Sequence, residues 1–221
     1  MLALLEGAGI PTVADVRLYT PPDSRDRWDD FARREGVGGK TALLASTSRW
    51  ASKDWPRERW SVLACALIER GYERVLFTGT ASDRAAVEAA MPQGRARQLS
   101  IDLTGRIDLG MMMAAMESTA VVVSNDSAAM HIAAGLQRPL LGLFGPTDPR
   151  EAAPFGRPES VVTSESARVF LEKGGHYRDR GLGDALMQAI SVDAVLTALD
   201  AGKHLAGLPT RTLAGDAVGA P

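Results

Sequence analysis

The chain has 221 residues, 45% of them hydrophobic and 24% charged, and a formal net charge of -2, enough to bury a sizeable core in one large domain or two small ones. Its Arg and Lys residues are scattered, with no basic run interleaved with aromatics, so a nucleic-acid partner is not expected. The one cysteine, Cys65, excludes an intramolecular disulfide framework and a multi-cysteine zinc site.

No apolar stretch approaches the length that spans a bilayer, and the opening MLALL has no basic segment before it; no transmembrane segment and a cytoplasmic location are expected. Along the chain, TPPDSRDRWDDFARREGVGGK reads as an extended entry, a charged helix from Ser24 to Glu35 and a Gly-rich turn. Its GVGGKT imitates the end of a P-loop, but Arg34 stands where an earlier glycine is required, and the segment precedes a strand instead of following one. Short Val-, Leu- and Ile-rich runs predict strands at Ala42 to Ser46, Arg74 to Thr78, Ala120 to Ser124, Leu140 to Phe144 and Val161 to Thr163. Helical spacing of Trp60, Leu63, Ala64, Leu67 and Ile68, with Pro56 ahead and Gly71 behind, predicts a helix between the first two strands. Further helices are predicted over Ser82 to Ala90, Leu109 to Glu117, Ser127 to Gly135 and Val192 to Ala201. Met111, Met112, Met113 and Met116 read as helix packing.

Continuously apolar strands alternating with helices imply a parallel sheet covered on both faces, a doubly wound α/β domain. Three segments divide the chain: an N-terminal extension or interdomain remnant over 1–39, the α/β domain over 40–202, and a disordered tail over 203–221, where AGLPTRTLAGDAVGAP is small, polar and punctuated by Pro and Gly.

Open α/β sheets bind ligands beyond the carboxyl ends of their strands. The first predicted strand leads into SRWASKDWP, the second ends in FTGTASD, the third in VVVSNDS and the fourth in LFGPTDP. In SNDSAAMH, Asp126 or Ser127 can cap the next helix while its first N–H groups point outward, and His131 lies one turn further on the same face. Taken alone, the stretch is better described as a capped helix with a satisfied, half-buried histidine. Asp126 would repel a phosphate and is assigned to capping or to ligand hydroxyls. Lys53, beside a second helix start, suits a diphosphate, although a lone lysine is usually solvated. Trp50, Trp55 and Trp60 can stack on a base or sugar, but their spacing suits core and cover better. In FGPTDP, Thr147 or Asp148 caps and Pro149 opens a helix. Three separated histidines and one cysteine give a metal site little support.

SKDWP, LFTGTASD, VVVSNDSAAMHIAAGLQRPLLGLFGPTDP and LMQAISVDAVLTAL together resemble the C-terminal half of the glycosyltransferases of family 9, the ADP-heptose:lipopolysaccharide heptosyltransferases and their relatives, in the family's order over roughly residues 40 to 200. The resemblance implies a Rossmann-like fold, that of the C-terminal donor domain of a GT-B enzyme. It implies an inverting, metal-independent transferase that takes a nucleotide-diphosphate sugar such as ADP-heptose and a glycan or lipid-linked acceptor at the inner membrane face, with no further cofactor. By resemblance, Lys53 contacts the phosphates, Asp126, Ser127 and Ala128 hold donor sugar and phosphate, and His131 faces the diphosphate. Thr147 and Asp148 match a second motif, and Thr80 and Ser82 lie near the nucleoside.

Three departures follow. Ser46-Thr47 stands where some members have a P-G turn, Ala81 near where some have a ribose-binding glutamate, and Ala128 at a frequent glycine. Family members place their acidic base in an N-terminal acceptor domain, for which about forty residues are too few. The catalytic residue is therefore unassigned, and a separate acceptor-domain protein is an expected partner. Two other readings stand beside the transferase: a nucleotide-sugar binding module without catalysis, and an unrelated α/β phosphate binder.

Overall fold

A computed structural model describes residues 16–174 and 180–206, with Gly7, Ala8 and Leu208. Its centre is a six-stranded parallel sheet of β1 (Thr41–Ala45), β2 (Arg74–Phe77), β3 (Ser100–Asp102), β4 (Val121–Asn125), β5 (Leu140–Phe144) and β6 (Val161–Thr163), in the order β3-β2-β1-β4-β5-β6. Every residue of β1, β4 and β5 is buried, as expected of strands covered on both faces. Successive side chains serve opposite layers. Leu44, Val121 and Val123 face Trp55, Trp60, Leu63 and Leu67, whereas Leu43 and Val122 face Trp28, Met116 and Met130.

The helices are α1 (Pro22–Glu35), α2 (Arg57–Glu69), α3 (Arg84–Ala90), α4 (Gly94–Gln98), α5 (Leu109–Ser118), α6 (Ala128–Gly135), α7 (Pro149–Ala152), α8 (Glu165–Glu172), α9 (Arg180–Gln188) and α10 (Val192–Asp200). The five predicted strands are present with ends within one residue. The third strand in chain order, β3, and helices α4, α8 and α9 were not predicted. Strand β3 has three residues, SID, too few to display a period against the adjoining α4. Of the methionines assigned to packing, Met111 and Met116 are buried in the core while Met112 and Met113 pack against it from its edge.

Helix α1 packs one face, with Ser24, Trp28, Phe31 and Ala32 buried, against the core. Pro22 occupies its first turn, and Gly36 ends it in the left-handed region at φ 65. Trp28 and Phe31 are buried and stacked, with centroids 5.6 Å apart. The Trp28 Nε1–H donates to Ser118 Oγ at 3.1 Å, and Arg25 pairs with Glu117 through two bonds of 2.7 and 2.9 Å. The crossing with α5 is close enough that a Cβ on Gly110 would stand 2.3 Å from Ser24 Oγ.

At the other end, the Arg157 guanidinium, 3% exposed, donates to the carbonyls of Ala206, Arg138 and His204. Burial lowers its pKa to about 10, which leaves it charged at neutral pH. These bonds hold the turn Lys203–Leu205; residues 207 and 209–221, most of the expected tail, lie outside the described residues.

Burial, then the charges of Arg157 and Lys40, push the His204 imidazole below its ordinary value. The unfolded chain therefore binds a proton that the folded chain resists. Stability from this group is complete above about pH 6.5 and is lost as pH falls toward the lowered folded value. In thermal melts across this window, His204→Gln should flatten the acid-side loss, and an unchanged slope would place that loss on other groups.

Candidate functional site

The strand order reverses between β1 and β4, and an α/β sheet opens a crevice beyond the strand ends at such a switch point. A cleft of about 690 Å³ lies there, within the usual size range of ligand pockets. The loop after β1 gives it Thr47, Ser48, Arg49 and Trp50; the end of β2 gives Thr78, Gly79 and Thr80; β4 and α6 give Asp126, Ser127, Ala128, Ala129 and Ile132. The segment after β3 closes it with Gly105, Ile107, Asp108, Leu109 and Met112. Because β3 is not legible in the sequence, this last wall was missed, and with it the apolar part of the cleft.

Beyond β4 the chain turns directly into α6. Ser127 is the N-cap residue, with extended backbone, but its hydroxyl meets Ser124 Oγ at 3.0 Å and does not cap the helix. Nor does the Asp126 carboxylate serve as a cap acceptor: its Oδ2 receives Lys53 Nζ at 2.6 Å, with the two side chains 7% and 13% exposed. The ion pair brings the lysine from the β1 loop to the start of α6. It also changes the electrostatics expected of Asp126, because a carboxylate neutralised by an adjacent ammonium no longer repels an approaching anion as a bare one would.

The same loop carries Asp54, whose carboxyl is raised above its ordinary value by burial, against the lowering effect of hydrogen bonds from Ser48. Asn125, fully buried at the end of β4, accepts from the Trp55 N–H at 3.2 Å and donates to Ser46 O at 3.0 Å and Asp54 Oδ1 at 3.3 Å. No role was read for Asn125 in the sequence; the available signal was an amide side chain ending an otherwise apolar strand.

At the β2 end, Thr80 and Asp83 form a capping box over the turn Ala81–Asp83. The Thr80 N–H and hydroxyl lie 2.8 and 2.6 Å from Asp83 Oδ2, and Ser82 Oγ is 2.8 Å from Thr80 Oγ1. Thr80 and Asp83 line the cleft, whereas Ser82 is exposed outside that lining. Ala81 packs against the segment after β3: a Cβ on Gly105 would lie 3.0 Å from both its Cα and its Cβ.

The structure places Asp126, Ser127, Ala128 and Thr80 in the lining of one cleft; Lys53 stands outside that lining and is tied to it through its ion pair with Asp126. His131 is exposed on α6, outside the cleft lining. Thr147 and Asp148 also stand outside it. Asp148 caps α7, accepting from the Arg150 N–H at 2.9 Å, and its bond to the Arg150 guanidinium holds its carboxyl below the usual range. Thr147 Oγ1 is buried without a hydrogen bond among the described residues. Of the three tryptophans, Trp55 and Trp60 are core, in edge contact with centroids 5.1 Å apart, and Trp50 is an exposed wall of the cleft. No group of three or more potential metal ligands occurs among the described residues.

A doubly wound parallel sheet with a mainly apolar cleft at its switch point, and a lysine–aspartate ion pair just before a helix start, defines a Rossmann-like α/β domain. The family model of glycosyltransferase family 9 (heptosyltransferase) matches residues 11–172, and the chain belongs to that family. It is 34% identical over 172 residues to lipooligosaccharide heptosyltransferase 2 of Haemophilus influenzae, covering 75% of this chain and 49% of that protein. It is 34% identical over 125 residues to lipopolysaccharide heptosyltransferase 2 of Escherichia coli K12, covering 56% and 36%. Among solved structures, the family 9 glycosyltransferase of Veillonella parvula matches with a TM-score of 0.73 at 22% identity, covering 91% of this chain and 58% of that one. E. coli ADP-heptose lps heptosyltransferase II matches with a TM-score of 0.67 at 23% identity, covering 85% and 53%. The chain spans about half the length, or less, of the curated relatives it matches. No helix among the described residues is long and apolar enough to cross a membrane.

Proposed function

We propose that this chain is the donor-binding half of a heptosyltransferase-type glycosyltransferase, and that the cleft takes a nucleoside-diphosphate sugar of the ADP-heptose kind. The Lys53–Asp126 ion pair carries this reading: it holds an ammonium on a carboxylate of the cleft wall, one residue before the N-cap of α6. The diphosphate sits against Lys53, Ser127 and Ala128, with His131, Thr147 and Asp148 around its outer edge. Thr80 and Ser82 lie toward the nucleoside, whose base rests on Ile107, Met112 and Ile132. As the sugar–phosphate bond breaks, negative charge grows on the departing nucleoside diphosphate. Lys53, His131 and the α6 N-terminus stabilise that charge more than the ground state without calling on a metal; that the acceptor hydroxyl displaces it in one step with inversion is what the family resemblance implies. A glycan or lipid-linked acceptor of the lipopolysaccharide type approaches at the cytoplasmic face of the inner membrane, with the base supplied from outside the described residues.

A second reading, a nucleotide-sugar binding module that does not complete transfer, uses the same cleft; this chain covers about half of its full-length relatives. The two part on whether the donor sugar reaches an acceptor when a candidate acceptor-domain protein is added.

Calorimetric titration with ADP, UDP and GDP tests the shared cleft. One nucleotide should bind, and His131→Ala should weaken it by about 1.5 kcal/mol, the lower range for a charge-assisted bond because the site is open. Unchanged affinity would return His131 to a solvent-facing helix position, and no binding by a folded chain would remove the donor reading.

A further inference from the structure

The donor reading leaves the buried amide of Asn125 unused. Asn125 is 0% exposed and stands where β4 ends, one residue before Asp126. Its amide orientation follows from its partners, since the Trp55 N–H can only donate and the Ser46 carbonyl can only accept. Both amide hydrogens are used, one on Ser46 O and one on Asp54 Oδ1. The side chain thereby grips the β1 loop at both ends: Ser46 follows the last residue of β1, and Trp55 follows Asp54. Between those points lie Thr47 to Trp50, which line the cleft, and Lys53, which the next residue, Asp126, holds.

From this geometry we infer that Asn125 is a positioning residue: it sets the conformation of the loop over residues 46–55, and through that loop the placement of Lys53, without touching the ligand. The inference rests on the donor reading for what the loop binds, but not for what holds the loop. A buried amide fixed at three points tolerates no isosteric acid. Asn125→Asp replaces two donors with acceptors that face the Ser46 carbonyl and the Asp54 carboxyl, whose own ionisation is already opposed by burial.

The test reads loop and ligand separately on the full chain. Limited trypsinolysis with mass-spectrometric mapping follows the bonds after Arg49 and Lys53, both within the loop, and calorimetry follows ADP. Asn125→Asp should speed cleavage at these bonds about tenfold and raise the ADP Kd about tenfold, the size expected when one buried bond is lost and its partner stranded. Adding Asp54→Asn returns a donor to the network and should recover much of both losses. Should Asn125→Asp fail to fold, Asn125→Ser, which shortens the side chain away from its partners, is read in the same two ways. Cleavage and affinity within twofold of wild type would overturn the assignment. Faster cleavage with unchanged ADP affinity would overturn it too, as would absence of rescue. If the wild-type chain binds no nucleotide, the donor reading falls, and the cleavage comparison still decides whether Asn125 holds the loop.

Discussion

Lys53→Met is expected to weaken ADP by about 2–3 kcal/mol, roughly thirty- to a hundred-and-fiftyfold, while adenosine binding stays within about twofold. The asymmetry comes from two effects with the same sign. The substitution removes the ammonium that a diphosphate would meet, and it strips the counter-charge from Asp126, a carboxylate 7% exposed in the cleft wall, which then repels phosphate. Adenosine has no phosphate to sense either change. The same stripping costs fold stability, by up to about 3 kcal/mol, because a nearly buried charge loses its partner. Binding must therefore be measured below the lowered melting temperature. Lys53→Met with Asp126→Asn separates the two effects: it should regain most of the stability, because no bare charge remains, and only part of the ADP affinity. Equal losses for ADP and adenosine would show that Lys53 shapes the cleft without contacting phosphate.

The sequence was most legible where one segment suffices to define an element. Strands β1, β4 and β5 are buried throughout and carry runs of three to five apolar residues, and helix α2 carries Trp60, Leu63 and Leu67 at helical spacing. Strand β3 has no such length, and its absence hides the topology at that edge and the cleft wall from Gly105 to Met112. For the site, motif positions identified which strand ends converge but not which side chains pair. Asp126 reads as a cap by its place before a helix, yet Lys53, distant in sequence, claims it. Cap and ion pair use the same carboxylate, and only the fold of the intervening loop decides between them. Asp148 shows the reverse: its neighbour Arg150 is local, and the cap read from FGPTDP forms as the sequence suggests.

Trp28→Ala is expected to destabilise the chain by about 3–5 kcal/mol, a large share of the 5–15 kcal/mol that holds a typical domain together. For a chain of this size that is a fall in Tm of about 10 °C. The size of the effect follows from position: Trp28 is 2% exposed, stacked on Phe31, bonded through Nε1 to Ser118 Oγ, and part of the layer that includes Leu43, Met116 and Val122 of the central fold. Truncation opens a cavity between α1 and α5 that neither helix can close, since their approach at Ser24 and Gly110 is already tight. Trp28→Phe retains a stacking ring, loses the Nε1–H bond and some area, and should cost roughly 1–2 kcal/mol. The pair bears on where the domain begins. A residue belonging to an appendage can be truncated without lowering the cooperative melt of the sheet, and its loss appears at most as a separate early transition. A single transition shifted by the full amount would place residues 22–35 inside the folding unit, so that a donor domain cut at residue 40 would expose the apolar face that Trp28 and Phe31 now cover.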